Sequence, residues 1–152
     1  MKLLILISAF SYSLSSFACP VLQGRYNKCF SEIKKIKGEY IVDQHQESNY
    51  EVYNVEYNDD ETGENRKDLI KTNNLTDSRK EKLPSLGVNV RIEARSKCEA
   101  NAVVSNADVF FLGAKVGSFV SKIFIEGNLL KSNVDGSYLS KDVHKRIVCE
   151  LE

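Results

Sequence analysis

The chain carries no excess of charge of either sign: its 21 Lys and Arg balance 21 Asp and Glu. A neutral protein has no electrostatic reason to take nucleic acid or an anionic membrane surface as partner. Local charge runs exist at Lys34-Lys35-Ile36-Lys37, Asp59-Asp60-Glu61 and Arg79-Lys80-Glu81-Lys82. They alternate in sign along the chain and suit solvated turns and strand edges. Histidine is scarce, with only His45 and His144, and neither lies near a cysteine pair. No C-x-x-C, H-E-x-x-H, G-x-S-x-G, Walker loop or G-x-G-x-x-G occurs, so metal, thiol-redox, serine-hydrolase and nucleotide chemistry have no motif to rest on. The expectation is no enzyme, no cofactor and no metal. Asp59-Asp60 sits in an apparent turn, where acidic residues are common for structural reasons. His45 falls in the polar Asp43–Asn49 stretch and His144 on the outward face of the last strand, so both are expected as surface histidines.

No run of about twenty apolar residues is present, which is what a membrane-spanning helix needs. What is present is a shorter run, Leu3-Leu4-Ile5-Leu6-Ile7 with Ala9 and Phe10, behind Lys2, the only charge before Arg25. It ends in Ser16-Phe17-Ala18, with small residues at the −3 and −1 positions. That order is a cleavable signal peptide over residues 1–18. One domain, residues 19–152, is then exported to the periplasm or secreted, with no transmembrane anchor. Cys19 at the first mature position raises the alternative of an acylated outer-membrane lipoprotein. Ser16 and Phe17 fit that cleavage site poorly, and acylation would leave three cysteines.

All four cysteines, Cys19, Cys29, Cys98 and Cys149, follow the signal segment. An even number in an exported chain implies two disulfides. Of the three pairings, Cys19–Cys29 with Cys98–Cys149 joins the nearest partners in sequence and is the preferred one. A closure of about fifty residues would contribute on the order of 4 kcal/mol through chain entropy.

Residues 88–98 alternate strictly: Val88, Val90, Ile92, Ala94, Ser96 and Cys98 share one face, and Asn89, Arg91, Glu93, Arg95 and Lys97 the other. This is a strand with one buried and one wet side. Weaker alternations recur through Tyr26, through Tyr40 and Val42, through Tyr53, Val55 and Tyr57, and in the runs near Val109, Ile123 and Ile147. Asp135-Gly136 signals a hairpin between Leu129–Val134 and Ser137–Leu139. Helical candidates are short, Phe30–Ile36 and Asp77–Leu83. The expected fold is all-β: an antiparallel meander of about eight strands forming a barrel or strongly curved sandwich, with residues 59–85 as a polar loop or hairpin. Asn74-Leu75-Thr76 satisfies the N-glycosylation sequon, relevant only in a eukaryotic source.

Tyr26, Tyr40, Tyr53 and Tyr57 recur at inward positions of successive strands. In a barrel they could line a cavity for an apolar or aromatic ligand, or fill a solid core. Leu22-Gln23-Gly24-Arg25-Tyr26, leading into the first strand, resembles the Gly-x-Trp opening of lipocalin-type barrels, with Tyr26 in place of the tryptophan. Asn106-Ala107-Asp108-Val109-Phe110 is similar to that family's Thr-Asp-Tyr segment. The opening Cys-Pro-x-Leu-x-Gly-x-Tyr is also similar to that of small proteins exported by Gram-negative bacteria. The lipocalin resemblance implies a barrel open at one end that carries a small apolar ligand. The alternative is a structural or protein-interaction module, inhibitor- or adhesion-like, with a solid core.

Overall fold

The computed structural model describes residues 19–31, 39–58, 63–83 and 87–152. Residues 1–18, expected as a signal peptide, the acidic pair Asp59-Asp60 and most of the helical candidate Phe30–Ile36 lie outside them. The described residues form ten strands, β1 (Gly24–Ser31), β2 (Tyr40–Glu47), β3 (Tyr50–Asn58), β4 (Asn65–Lys71), β5 (Asp77–Leu83), β6 (Val88–Glu99), β7 (Ala102–Phe111), β8 (Ala114–Glu126), β9 (Leu129–Tyr138) and β10 (Lys141–Leu151). They make one antiparallel sheet in the order β4-β3-β2-β1-β10-β9-β8-β7-β6-β5. The first and last strands pair at its middle, Tyr26 opposite Leu151, and the sheet curls into a half-barrel. Its open seam lies between β4 and β5, which follow one another in sequence but share no ladder.

Ten strands rather than about eight result because residues 59–85 hold two of them. They are not a hairpin: β4 pairs with β3, and β5 with β6. Asp77–Leu83, a helical candidate by sequence, is β5. A seam strand needs no continuous apolar face, so charge dominates both. The polar stretch around His45 is likewise strand, β2 running to Glu47 before a turn at Ser48.

The hairpins turn on left-handed residues. Ala100 and Asn101 have φ of 43° and 65°, and Leu139 and Ser140 have 48° and 63°. Two successive positive φ values give the turn whose twist matches paired strands. Asp135-Gly136 is therefore not the β9–β10 turn. It lies inside β9, where Gly136 sits opposite Phe119 and a Cβ would come within 2.8 Å of the Phe119 Cα.

The apolar core fills one end, the base of the half-barrel. Leu22, Tyr26, Cys29, Val42, Tyr53, Val55, Val103, Leu130, Ile147 and Cys149 are buried together there. Residues 19–23 cross this end as a plug. The Leu22 amide donates to Gln44 Oε1 at 2.8 Å, and the carbonyls of Pro20 and Leu22 accept from the hydroxyls of Tyr53 and Tyr26 at 2.9 and 2.8 Å.

The disulfides join Cys19 to Cys98 and Cys29 to Cys149, correcting the pairing of nearest neighbours. Cys98 on β6 stands four strands from Cys149 on β10, whereas β1 lies directly against β10 and brings Cys29 to it. The plug carries Cys19 across the base to Cys98. With its sulfur in this bond, Cys19 has no thiol left for acylation. Two disulfides suit an oxidising compartment, periplasmic or extracellular, and among the described residues no helix is long and apolar enough to cross a membrane.

Candidate functional site

Above the core the interior is hollow. A cavity of about 550 Å³ is bounded by residues from β2 through β10. Along β6 the inward positions shrink from Ile92 to Ala94 and Ser96, and opposite them stand Ala107 and Ser105 of β7. Ser121 of β8 and Ser132 and Val134 of β9 continue the wall. Small side chains on these four strands leave the space that larger residues fill at the base. Ile70, Ile123, Ile147 and Val55 supply its apolar surface, and Lys145 of β10 also faces it. The Ser96 and Ser105 hydroxyls lie 2.6 Å apart and hydrogen-bond to each other.

The four tyrosines divide. Tyr40 and Tyr57 line the cavity, stacked face to face with ring centroids 5.2 Å apart and planes within 5°. Tyr26 and Tyr53 are only 1% and 0% exposed and belong to the core beneath, bonded to the plug. Burial raises the Tyr57 phenol pKa well above the ordinary value, and the Asp68 carboxylate, whose Oδ2 accepts a hydrogen bond from the phenol at 3.1 Å, adds to that rise. Burial, with a smaller contribution from Glu51, does the same at Tyr53.

The seam forms the cavity's outer wall. Asp68 on β4 and Arg79 on β5 reach across it, Oδ1 to Nη1 at 3.0 Å, and Arg79 Nε also contacts Glu81 Oε1 at 2.8 Å. An outer cleft of about 640 Å³ lies against the same seam, and Tyr57, Lys67, Asp68 and Arg79 border both spaces. At the seam side chains alone stand between the two spaces, since β4 and β5 share no backbone ladder.

Both histidines are exposed, and neither borders the cavity. His144 Nδ1 and Arg146 Nη2 each lie 2.8 Å from Asp135 Oδ1, and these contacts, Arg146 first, hold the Asp135 carboxyl below the usual carboxylate range. His45 Nε2 lies 3.5 Å from Glu47. Among the described residues no cluster of three His, Cys, Asp or Glu is placed to hold a metal ion. The sequon residue Asn74 is exposed in the β4–β5 connection.

The serines and Lys145 escaped the sequence reading as site residues. The strict alternation of β6 already turned Ser96 inward, but nothing in the spacing distinguished a small residue on a cavity wall from one in a packed core. Comparison with protein-family models, with characterised proteins and with solved structures finds no match to this chain.

Proposed function

We propose that this is an exported binding protein that carries a small, largely apolar ligand inside a lipocalin-like half-barrel. The observation that carries the reading is the cavity of about 550 Å³, floored by the apolar core. Binding pockets for small molecules typically span 300–1,000 Å³, with apolar walls and a few polar groups. Disulfides and the signal-like residues 1–18 support export. Tyr40 and Tyr57 offer a flat aromatic surface to the ligand, while Tyr26 and Tyr53 hold the floor rigid.

The rival reading, a protein-interaction module, draws on the unpaired edges of β4 and β5. Lys67, Lys71, Lys80 and Lys82 stand along those edges, and edge lysines discourage strand addition. The rival ranks second for that reason.

Native mass spectrometry of protein purified from its source tests the proposal. The expected result is a bound small molecule released on denaturation. An environment-sensitive apolar dye should also bind the ligand-free protein, and Ala107→Phe, which fills the cavity wall, should abolish its uptake with melting temperature retained. A bare protein mass together with no dye uptake sinks the proposal.

A further inference from the structure

The strands that wall the cavity touch it with alternate residues, as one face of a sheet must: Ile92, Ala94 and Ser96 on β6, Ser105 and Ala107 on β7. β4 departs from that rule. Every residue from Lys67 to Lys71 borders the cavity, although neighbours along a strand point to opposite faces. A space in contact with both faces of a strand passes round its edge. The edge toward β3 is taken up by the ladder from Val52–Lys71 to Asn58–Asn65. The cavity therefore reaches the outer surface round the free edge of β4, through the seam.

Away from the floor, the inner face of β6, β7 and β8 is filled again. The next inward residues after Ile92 and Ala107 are Val90 and Val109, and both are buried. At Gly117, opposite Val109, the rings of Tyr138 and Phe119 take the space, and a Cβ there would meet them at 3.0 and 3.3 Å. Along these strands the cavity thus has packed side chains above it and the core below. At the seam the Asp68–Arg79 pair stands in place of a backbone ladder.

That pair can part without leaving a charge unpartnered. Asp68 Oδ2 accepts from the Tyr57 hydroxyl of β3 at 3.1 Å, and Arg79 Nε contacts Glu81 Oε1 on its own strand at 2.8 Å. Each member keeps a partner on its own side of the seam. Both side chains are partly exposed, and an ion pair in such a place has a small net worth. Separating two neighbouring strands anywhere else breaks a backbone ladder.

Resting on the binding reading above, we infer that the ligand enters and leaves sideways through the β4–β5 seam, with the Asp68–Arg79 pair as its gate. A gate acts on uptake and release alike. A contact that only holds the ligand acts on release.

Stopped-flow exchange of Nile red, a neutral apolar dye, tests the inference. Raising the ionic strength screens the pair, so uptake and release by the wild-type protein should both quicken about twofold. Arg79→Met keeps the bulk of the side chain and removes its charge. It should speed both steps about two- to fivefold and abolish their salt dependence. Asp68→Cys with Arg79→Cys, bridged by a bis-maleimide, should slow both steps about tenfold or more relative to each single-cysteine variant capped with N-ethylmaleimide. Exchange through the bridged seam at the rate of the capped variants overturns the inference and leaves the binding function standing. So does an Arg79→Met protein in which release alone quickens or neither rate changes. The wild-type salt series needs no variant, and release that fails to quicken with salt overturns the inference even where a substitution misfolds. Failure of the wild-type protein to take up Nile red overturns the binding function itself.

Discussion

Four tyrosines on the inward face of three strands end in two different surroundings, although Tyr26, Tyr40 and Tyr57 stand opposite one another across β1, β2 and β3. Alternation tells which face a side chain takes, and all four do point inward. It does not tell that the segment before β1 covers two of them, the Pro20 and Leu22 carbonyls accepting from the Tyr53 and Tyr26 hydroxyls. That part of the site was not legible from spacing. The burial has a consequence at alkaline pH. The phenols of Tyr26, Tyr53 and Tyr57 are all raised, by desolvation first, so the folded protein keeps protons that the unfolded chain releases near pH 10. Their contribution to stability is whole below about pH 10 and declines as pH rises further. In an alkaline titration, phenolate absorbance from these residues should appear together with loss of the sheet's circular dichroism, and Tyr57→Phe should shrink that late step. A full phenolate signal in a chain that is still folded would contradict this.

At the scale of the element, strands with one wet face announced themselves, and strands on the seam did not. β6 showed its alternation because Val90 and Ile92 must turn inward while Arg91 and Glu93 stay wet. β4 and β5 have charged residues on the interior face as well, Asp68 against Arg79, since that face borders an opening; no apolar stripe remains to be seen. Turn chemistry misled in the opposite direction. Asp135-Gly136 carries the residues of a hairpin turn but occupies a strand, because Gly136 makes room for Phe119. The true turn, Leu139-Ser140, uses two residues that pay about 1 kcal/mol or more for the left-handed region. Leu139 is 55% exposed there and packs little. Replacing the pair by Asn-Gly (Leu139→Asn with Ser140→Gly) should stabilise the protein by about 1 kcal/mol, seen as a melting temperature several degrees higher. An unchanged or lower value would show that Leu139 serves something other than the turn.

For the whole molecule, the antiparallel all-β class was legible and the closure was not, because closure depends on which distant segments meet. Pairing of β1 with β10 brings Cys29 to Cys149, and the plug brings Cys19 to Cys98. The two bonds close intervals of 79 and 120 residues, each worth about 4–5 kcal/mol in the chain-entropy model, though not additively since the intervals overlap. Substituting either pair with serine should lower the denaturation free energy by about 2–5 kcal/mol, measurable as a shift of the denaturant midpoint. Peptide mapping of the oxidised protein should recover the 19–98 and 29–149 linkages; recovery of 19–29 would contradict the fold.

The connection between β4 and β5 is bonded on both sides. The Thr72 amide donates to the Glu51 carbonyl at 3.0 Å and the Asn74 amide to the Ser96 carbonyl at 2.9 Å. The seam is consequently stitched at the base, like a purse held by its hinge. If β4 and β5 part, they swing about residues 72–76, and the seam widens at the end away from that connection, beyond the Asp68–Arg79 clasp, while the floor beneath the cavity keeps its shape.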